Sequence, residues 1–264
     1  MLNRELSNNP HLLVDGDIVA YRCAAVAEKT RYLVYADGSC TYHDNAKDAQ
    51  SEIKTLGVGT VWSRKDLQPL EHALNAAHIT LDSIIKRFPN GSTKVYLSGE
   101  RNFRDNVWVT KKYKGNRDTP KPTHLKGVRE YLVSRWDAVV SQNQEADDDI
   151  GIDSRLGETI VVSTDKDLDQ IPGWHYNWVK EEVYYVDVYD AEMFMWEQVI
   201  SGDATDNIPG LPGWGPVKAR GYMEQRSPER TLHDHVYDLF KQEGFGYEYF
   251  DEMCKLVRIL QEKR

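Results

Sequence analysis

The chain has 264 residues, of which 40% are hydrophobic and 28% charged, and this balance excludes an intrinsically disordered protein. No apolar run approaches the roughly 20 residues of a membrane-spanning helix, and the polar first ten residues predict no secretory signal. The three scattered cysteines exclude a disulfide framework, predict no zinc site and favour a cytoplasmic location.

The formal net charge of −9 is unevenly distributed along the chain. Residues 94–136 contain 11 Lys or Arg against 4 Asp or Glu, whereas residues 145–170 contain 2 against 9. A basic stretch beside an acidic one is what a site that binds a polyanion with the help of cations needs. Two solvated faces of opposite sign are the alternative interpretation.

The first half of the chain predicts alternating strands and helices. A short apolar run at 11–15 predicts a buried strand, and it is followed by a helical pattern at 18–28. Alternation around Asp37-Gly38 predicts a hairpin over 31–43. Residues 44–65 are weakly patterned, and 66–88 predict a long amphipathic helix.

The predicted strands stop near residue 190, and only helices are predicted after it. Further elements are predicted in this order: a strand at 94–98, a basic loop or short arch at 101–122, a helix at 123–135, a short strand at 138–140, a helix at 146–156, a strand at 159–163, and helices at 191–201, 217–225, 231–242 and 247–262. This order predicts an α/β domain with a mainly parallel central sheet flanked by helices over residues 1–190. A helical subdomain is predicted over residues 191–264.

Acidic residues recur where the predicted strands end. Asp15 follows the first strand, Glu100 the second, and Asp165 and Asp167 the third. Ligand sites in open α/β sheets lie beyond the carboxyl ends of the strands. Three more acids lie at the start of a predicted helix, where the positive end of the helix dipole tolerates negative charge; they are Glu145, Asp147 and Asp148. Asp203 and Asp206 are three residues apart, so a helical turn would put them on one side.

Each acid alone has a structural explanation as a turn residue, a helix cap or a surface charge. Together they are costly, because two close carboxylates repel by about 4 kcal/mol at an effective dielectric near 20. Bound cations relieve that repulsion, and all-oxygen ligands suit Mg²⁺ or Mn²⁺. Two such ions can clamp the attacking and leaving oxygens of a phosphoryl displacement without a protein nucleophile.

Five segments in a fixed order resemble one family. They are Leu13-Val-Asp-Gly16, Phe103-Arg104 with Tyr113-Lys-Gly-Asn-Arg117, Glu145-Ala-Asp-Asp148, Ser163-Thr-Asp-Lys-Asp167, and Gly202-Asp-Ala-Thr-Asp-Asn-Ile-Pro-Gly210. They resemble the flap endonuclease/5′-3′ exonuclease family, and most of all its free-standing bacteriophage exonucleases. The resemblance covers about residues 12–220, whereas residues 31–65 match no part of it.

The resemblance implies a PIN-like nuclease core with a helix-three-turn-helix DNA-binding subdomain. It implies a 5′-3′ exonuclease that is also a flap endonuclease, with RNase H-type activity as a further option, in primer removal or DNA degradation. The implied metal ligands are Asp15, Glu100, Glu145, Asp147, Asp148, Asp165, Asp167, Asp203 and Asp206. Of these, Asp148 and Asp165 are counted as catalytic, and Glu100 departs from the family's usual Asp.

The resemblance also implies the DNA contacts. Lys114 and Arg117 match the family's catalytic basic pair near the scissile phosphate, where a cation stabilises developing charge. Tyr113 is expected to stack on the terminal base and Arg104 to contact a phosphate, with ordinary packing as the alternative. The turn over 209–218 resembles a helix-hairpin-helix, in which backbone N–H groups approach a phosphate. There Gly213, Gly215 and Lys218 are expected to bind duplex DNA, and K⁺ is an expected further ligand of the turn.

Two rival hypotheses remain. Val14-Asp-Gly-Asp17 also fits a phosphatase of the haloacid dehalogenase type, with an Asp nucleophile. A DNA-junction binding protein with a weak or vestigial metal site is the non-catalytic alternative. The favoured hypothesis predicts a monomer that acts on DNA with a 5′ end, nick or flap, and on RNA–DNA hybrids. It predicts the bacterial or phage-infected host cytosol as the location.

Overall fold

The structure is a computed structural model that describes residues 6–117 and 120–263. Asp118 and Thr119, within the predicted arch, lie outside the described residues. The chain divides into two compact units. The first comprises Met1–Ile18, Ile84–Pro120 and Trp136–Arg264, and the second comprises Val19–Ser83 and Lys121–Arg135.

The elements follow one another in this order: β1 (His11–Asp15), α1 (Gly16–Val26), β2 (Glu28–Ala36), β3 (Ser39–His43), α2 (Ala46–Leu56), β4 (Thr60–Leu67), α3 (Leu70–Arg87), β5 (Ser92–Leu97), α4 (Leu125–Trp136), β6 (Val139–Val140), α5 (Ala146–Asp153), β7 (Thr159–Val162), β8 (Gly173–Asn177), β9 (Glu182–Val186), α6 (Val188–Ser201), α7 (Pro216–Met223), α8 (Leu232–Gln242) and α9 (Tyr247–Val257). Short 3-10 helices span Phe103–Asn106 and Lys166–Gln170.

A six-stranded sheet forms the centre of the first unit, in the order β6-β5-β1-β7-β8-β9. Its strands pair in parallel except β9, which is antiparallel to β8. The apolar runs of β1, β5 and β7 are buried, as parallel strands covered on both faces require. The predicted α/β class with a mainly parallel sheet is confirmed.

The chain passes from β1 into α1 without a loop, and Gly16 makes this possible. A Cβ on Gly16 would lie 2.5 Å from the carbonyl oxygen of Tyr96, so only glycine fits between the helix start and β5. Asp15 is thereby held at the carboxyl edge of the sheet. The elements that form this carboxyl edge belong to the first unit.

Helices α6 to α9 share a buried core in the first unit, with Trp196, Phe240 and Phe250 among its large side chains. The predicted last helix is too long, because α9 ends at Val257 and the next residues are extended. There the backbone N–H of Leu260 donates to Asp148 at 2.9 Å. The boundary at residue 190 and the helix-three-turn-helix remain predictions. In the described part of the chain, none of the helices has the length and apolar character to cross a membrane.

The second unit contains a three-stranded antiparallel sheet in the order β3-β2-β4, together with α2 and most of α1, α3 and α4. The predicted hairpin corresponds to β2 and β3. Helix α2 lies in the weakly patterned segment, although its ends carry ordinary signals. Asn45 accepts the Asp48 N–H as N-cap, and Gly57 ends the helix at φ 73°.

Candidate active site

The ends of β1 and β7 are joined by one serine. Asp15 is buried, and its two carboxylate oxygens accept the Ile18 N–H at 3.1 Å and the Ser163 hydroxyl at 2.8 Å. The Ser163 oxygen in turn accepts the Asp165 N–H at 3.0 Å. Asp165 caps the following 3-10 helix through the Asp167 N–H at 3.0 Å. These bonds fix three acids at the carboxyl edge of the parallel sheet.

Burial and mutual repulsion act on these acids together. Burial raises the pKa of Asp15 to about 7, and Asp17 and Asp165 contribute to the rise. Burial likewise raises the pKa of Asp167 to about 6, with contributions from Asp165 and Asp203. Such shifts show that negative charge at this edge is only partly compensated within the protein.

Asp147 joins the group from the first turn of α5. Burial raises its pKa well above the usual range, and Asp15, Glu145 and Asp165 raise it further. The amino end of α5 tolerates the acids of its first turn because the helix dipole is positive there. The acids that converge on this edge are Asp15, Glu145, Asp147, Asp165, Asp167, Asp203 and Asp206, hereafter the acidic cluster.

A lysine and a tyrosine join Glu145 to Asp206. The Lys114 ammonium is hydrogen-bonded to Glu145 and lies 3.5 Å from Asp206. The Tyr113 hydroxyl donates to Glu145 at 2.9 Å and to Asp206 at 3.0 Å. Burial raises the pKa of Tyr113, and both acids raise it further, so the phenol stays protonated and donates. The half-exposed Arg117 also pairs with Asp206.

Two loops hold Lys114 in place. The Lys114 N–H donates to the Asp206 carbonyl at 2.8 Å, the Asn116 amide donates to the Ala204 carbonyl at 2.7 Å, and the Asn207 amide donates to the Lys112 carbonyl at 2.8 Å. Lys114 adopts a left-handed φ of 53°, which a non-glycine residue keeps only when its surroundings impose it.

The loop that carries Asp203 and Asp206 is closed by a short bridge between Asp203 and Ile208. Gly202 begins it at φ 73°, where a Cβ would lie 2.3 Å from the Ile208 carbonyl oxygen. Only glycine is compatible with both the dihedral and the space. The turn therefore fixes where the two acids emerge after α6.

Relatives of known activity come from bacteria and phages. The chain is 28% identical over 185 residues to the flap endonuclease Xni of Shewanella sediminis (strain HAW-EB3), covering 62% of this chain and 72% of that protein. It is 31% identical over 136 residues to the exodeoxyribonuclease of Enterobacteria phage T3, covering 46% of this chain and 45% of that protein. No protein-family model matches the chain.

The fold has solved counterparts as well. The bacteriophage T5 flap endonuclease, in a pseudo-enzyme-product complex with DNA and metal ions, superposes with a TM-score of 0.57. The match covers 94% of this chain and 89% of the T5 chain at 19% sequence identity. At this identity the likeness establishes the fold alone. The resemblance to the flap endonuclease/5′-3′ exonuclease family is confirmed.

The acidic cluster fits the divalent cations that the family resemblance implies. Its donors are carboxylate oxygens, the ligands that Mg²⁺ and Mn²⁺ prefer. The raised pKa values of Asp15, Asp147 and Asp167 are consistent with negative charge that a cation would stabilise. As placed, no three Asp, Glu, His or Cys side chains within residues 6–117 and 120–263 are grouped closely enough to hold a metal ion.

Asp148, which the family resemblance assigns to the metal, has another role in the structure. Its two oxygens accept from Arg104 at 2.7 and 2.9 Å, and also from the backbone N–H groups of Glu145 and Leu260. The carboxylate is fully buried. These four donors give Asp148 a structural role, and its predicted roles as metal ligand and catalytic residue stay predictions.

Burial speaks against the predicted phosphate contact of Arg104. Its guanidinium is 2% exposed, and besides Asp148 it donates to the carbonyls of Leu256 and Arg258 at 3.0 and 2.7 Å. A phosphate on the surface cannot reach it. Arg104 and Asp148 instead form a buried pair that attaches the start of α5 to the residues that follow α9.

The structure buries Tyr113 and leaves Glu100 exposed. Tyr113 is 5% exposed, so its ring is packed in the core rather than open to a DNA base. Glu100 is exposed in the loop after β5, and in the described part of the chain no hydrogen bond or ion pair joins it to the acidic cluster. The burial of Tyr113 contradicts the predicted stacking, whereas the metal role of Glu100 stays a prediction.

The predicted DNA-binding turn lies before α7. Gly213 adopts φ 77°, Gly215 is the N-cap of α7, and Pro216 occupies the first helical position. Both glycines and Lys218 are exposed. The Lys218 ammonium lies 3.7 Å from the centre of the Trp214 ring, a contact that directs it along the surface of the turn.

Three positioning residues escaped the sequence analysis. Ser163 joins Asp15 to Asp165, and the amide of Gln198 donates to Asp167 at 2.7 Å. Buried Glu252 accepts the N–H groups of Val109 and Thr110 at 2.7 and 2.8 Å. Ser163 begins the segment Ser163-Thr-Asp-Lys-Asp167, whereas Gln198 and Glu252 lie in helices with no local signal for these contacts.

Proposed function

We propose that this protein is a structure-specific 5′ nuclease that hydrolyses DNA phosphodiesters with divalent cations. The observation that carries the proposal is the convergence of seven acids from four parts of the chain on one sheet edge, beside Lys114 and Arg117. Negative charge for cations and positive charge for a phosphate lie side by side, which is the arrangement that phosphodiester hydrolysis needs.

The acidic cluster would hold the cations, and we propose Mg²⁺ or Mn²⁺, in two sites. When bound, such ions stabilise negative charge on the phosphate and lower the pKa of water. The buried Asp15 and the half-buried Asp147 and Asp165 are the members best placed to hold the ions, because their charges act on one another. Ser163 and Gln198 keep their neighbours in fixed orientations.

Lys114 and Arg117 would stabilise the phosphate. The Lys114 ammonium stays charged, because Glu145 and Asp206 outweigh the effect of burial and raise its pKa. Its loop is tied to the loop of Asp206, so the cation cannot drift from the acids. A preorganised cation of this kind stabilises the transition state more than a mobile one does.

The turn at 209–218 would bind the backbone of duplex DNA. Its exposed glycines let backbone N–H groups approach a phosphate, the amino end of α7 adds a positive dipole, and Lys218 adds a charge. We include K⁺ as a further ligand of this turn.

The names of the relatives support a more specific activity. A flap endonuclease and an exodeoxyribonuclease are among them, which supports 5′-3′ exonuclease activity together with cleavage of 5′ flaps. We extend the proposal to RNA–DNA hybrids, to a monomer, and to the cytosol, where three free cysteines stay reduced. Replication-linked primer removal or DNA degradation is the corresponding process.

The test uses duplex, nicked and 5′-flap DNA labelled at either end, with Mg²⁺, with Mn²⁺ and with EDTA. We expect cleavage from the 5′ side with either metal and none with EDTA. Asp165→Asn should abolish cleavage and leave DNA binding in place. The matched control is Asp187→Asn, because both aspartates cap a helix and Asn caps equally well. Near-normal cleavage by Asp165→Asn would refute the assignment.

A further inference from the structure

The sheet of the second unit has one covered face. On β3, Thr41 donates to Glu52 of α2 at 2.7 Å, and His43 is hydrogen-bonded to the same carboxylate. Val34 of β2, the register partner of Thr41, is buried, as is Ala49 of α2. Helix α2 therefore packs on the face to which Val34, Thr41 and His43 point.

The opposite face carries exposed aromatic side chains. Leu33 of β2 is the register partner of both Tyr42 on β3 and Trp62 on β4, so these three point to the same side. Tyr35 follows Leu33 by two residues and points there too. Tyr35 is 45% exposed, Tyr42 57% and Trp62 64%, whereas Leu33 between them is buried. Tyr35, Tyr42 and Trp62 are hereafter the aromatic face.

Two arginines extend the aromatic face along β2 and β4. Arg31 and Arg64 are register partners on neighbouring strands, an arrangement that destabilises a sheet because like charges lie opposite each other. Asp66 compensates only in part, since its one carboxylate binds the Nε atoms of both arginines, each at 2.8 Å. Two guanidinium groups against one carboxylate leave this end of the face positive.

We propose that this face binds single-stranded DNA, with bases stacked on Tyr35, Tyr42 and Trp62 and phosphates bound by Arg31 and Arg64. Every base offers a flat ring for stacking, and arginines beside the aromatic rings match the phosphates between bases. Sheets with exposed aromatic rings bind unstacked bases in this way. The inference rests on the proposed function only for the choice of DNA.

The charge pattern favours nucleic acid over a protein partner. A protein surface that covered the aromatic face would bury the like-charged arginine pair along with it, at a desolvation cost. Phosphates would instead relieve the repulsion between Arg31 and Arg64. Duplex DNA keeps its bases stacked inside the helix, so the aromatic face discriminates between single and double strands.

The test measures binding of fluorescent oligothymidylate, about 20 nucleotides long, and of a blunt DNA hairpin to the full chain in EDTA. Trp62→Ala and Tyr42→Ala should each weaken binding of the single strand about tenfold and leave hairpin binding unchanged. Trp62→Phe, which keeps a stacking ring, should restore most of the affinity. Tyr189→Ala is the matched control, since this tyrosine on α6 is 52% exposed.

The salt dependence of single-strand binding tests the two arginines. Arg31→Met and Arg64→Met should each lower the slope of log affinity against log salt by about 0.7, the value for one phosphate on a single strand. Circular dichroism confirms folding of each variant. Unchanged single-strand affinity in folded Trp62→Ala and Tyr42→Ala would overturn the inference. So would a wild-type dimer, seen by sedimentation, that Trp62→Ala dissociates while single-strand affinity stays constant.

Different outcomes refute the nuclease proposal and the inference about the aromatic face. Cleavage of nicked duplex in Mg²⁺ reports on the proposed nuclease site and not on the aromatic face. If cleavage is normal and the aromatic variants bind single strands like the wild type, the inference about this face is wrong and the nuclease proposal stands. If the aromatic variants lose single-strand binding but no metal supports cleavage, the inference stands and the nuclease proposal is wrong.

Discussion

Lys114 is the residue whose charge is placed most directly for chemistry. It is one-quarter exposed, contacts Glu145 and Asp206, and sits on a backbone that two loops hold in a left-handed conformation. Its ammonium is accessible to a phosphate beside the acids. We therefore propose for Lys114 a role in catalysis rather than in folding.

Lys114→Met should lower the single-turnover rate of cleavage by about 10²- to 10³-fold, the typical effect of removing one stabilising group from a transition state. The dissociation constant for DNA should change far less. The measurement is rapid-quench cleavage at saturating enzyme, with Lys111→Met, an exposed lysine three residues earlier, as the control. A variant rate equal to that of the wild type would exclude Lys114 from the mechanism.

The Arg104–Asp148 pair belongs to the folding of the site. Both side chains are buried, and breaking a buried ion pair by removing one partner costs about 3–5 kcal/mol. Arg104→Met and Asp148→Asn should each lower the free energy of unfolding in urea by about this amount. Arg101→Met, at an exposed position, serves as the control and should change it little.

The double variant Arg104→Met/Asp148→Asn decides whether the two residues act as a pair. It should be more stable than the sum of the single losses predicts, since neither charge is left buried without its partner. Strict additivity would contradict the pairing. If Asp148 were a metal ligand, Asp148→Asn would also shift the Mg²⁺ concentration for half-maximal activity, and we expect no such shift.

At the scale of elements, α9 positions the loop that carries Lys114. Glu252 accepts the N–H groups of Val109 and Thr110 and the Thr110 hydroxyl, the last at 2.8 Å. These bonds attach the start of the loop to a helix that is distant in sequence. Glu252 is therefore a positioning residue that acts on the site through the backbone.

Glu252→Leu should lower kcat for cleavage with little change in KM, and reduce stability by about 1–3 kcal/mol for the donors left without a partner. Glu252→Gln keeps an acceptor of the same shape and should restore most of both. A purely structural role would show as a loss of stability with unchanged kcat in the folded variant. The measurement is steady-state cleavage at a temperature well below the melting transition.

Sequence patterns predicted the strands at the centre of the core but missed β4, β8 and β9. The buried strands β1, β5 and β7 have apolar runs ended by acids or glycine, so their positions were within about two residues of the structure. Strand β4 is exposed on nearly every residue, and its alternation was correspondingly weak. Strands β8 and β9 were missed, although their Asn177–Lys180 turn carries an ordinary hydrogen bond.

The candidate site could also be predicted only in part from the sequence. The convergence of Asp15 and Asp165 follows from strand order, since acids that end parallel strands meet at one edge. Asp203 follows helix α6, so strand order does not place it. The role of Asp148 does not follow, because an acid one residue from Asp147 is as suited to a cation as to a buried guanidinium. Only the contact with Arg104, 44 residues away, separates the two roles.

At the scale of the whole molecule, a net charge of −9 opposes DNA binding at long range. Part of that charge is concentrated in the acidic cluster, where repulsion and burial raise the pKa of Asp15 to about 7. The molecule therefore gives up stability to keep these acids together. Divalent cations bound to the acidic cluster should restore that stability and reduce the negative charge that repels DNA.

The stability of the metal-free protein should therefore fall as pH rises. Between the unfolded pKa of Asp15, about 3.9, and its folded pKa of about 7, the folded state binds more protons than the unfolded state. The free energy of unfolding thus declines across this window and the penalty is complete above it. In EDTA at pH 8, Asp15→Asn should melt at least about 4 °C above the wild type.

The same measurement, repeated with metal, tests the acidic cluster as a cation site. Mg²⁺ at millimolar concentration should raise the melting temperature of the wild type at pH 8, because an ion that binds only the folded state stabilises it. The rise should be much smaller in Asp15→Asn, and Asp187→Asn should respond like the wild type. An equal rise in all three proteins would mean that Mg²⁺ stabilises the fold elsewhere and that Asp15 takes no part in holding it.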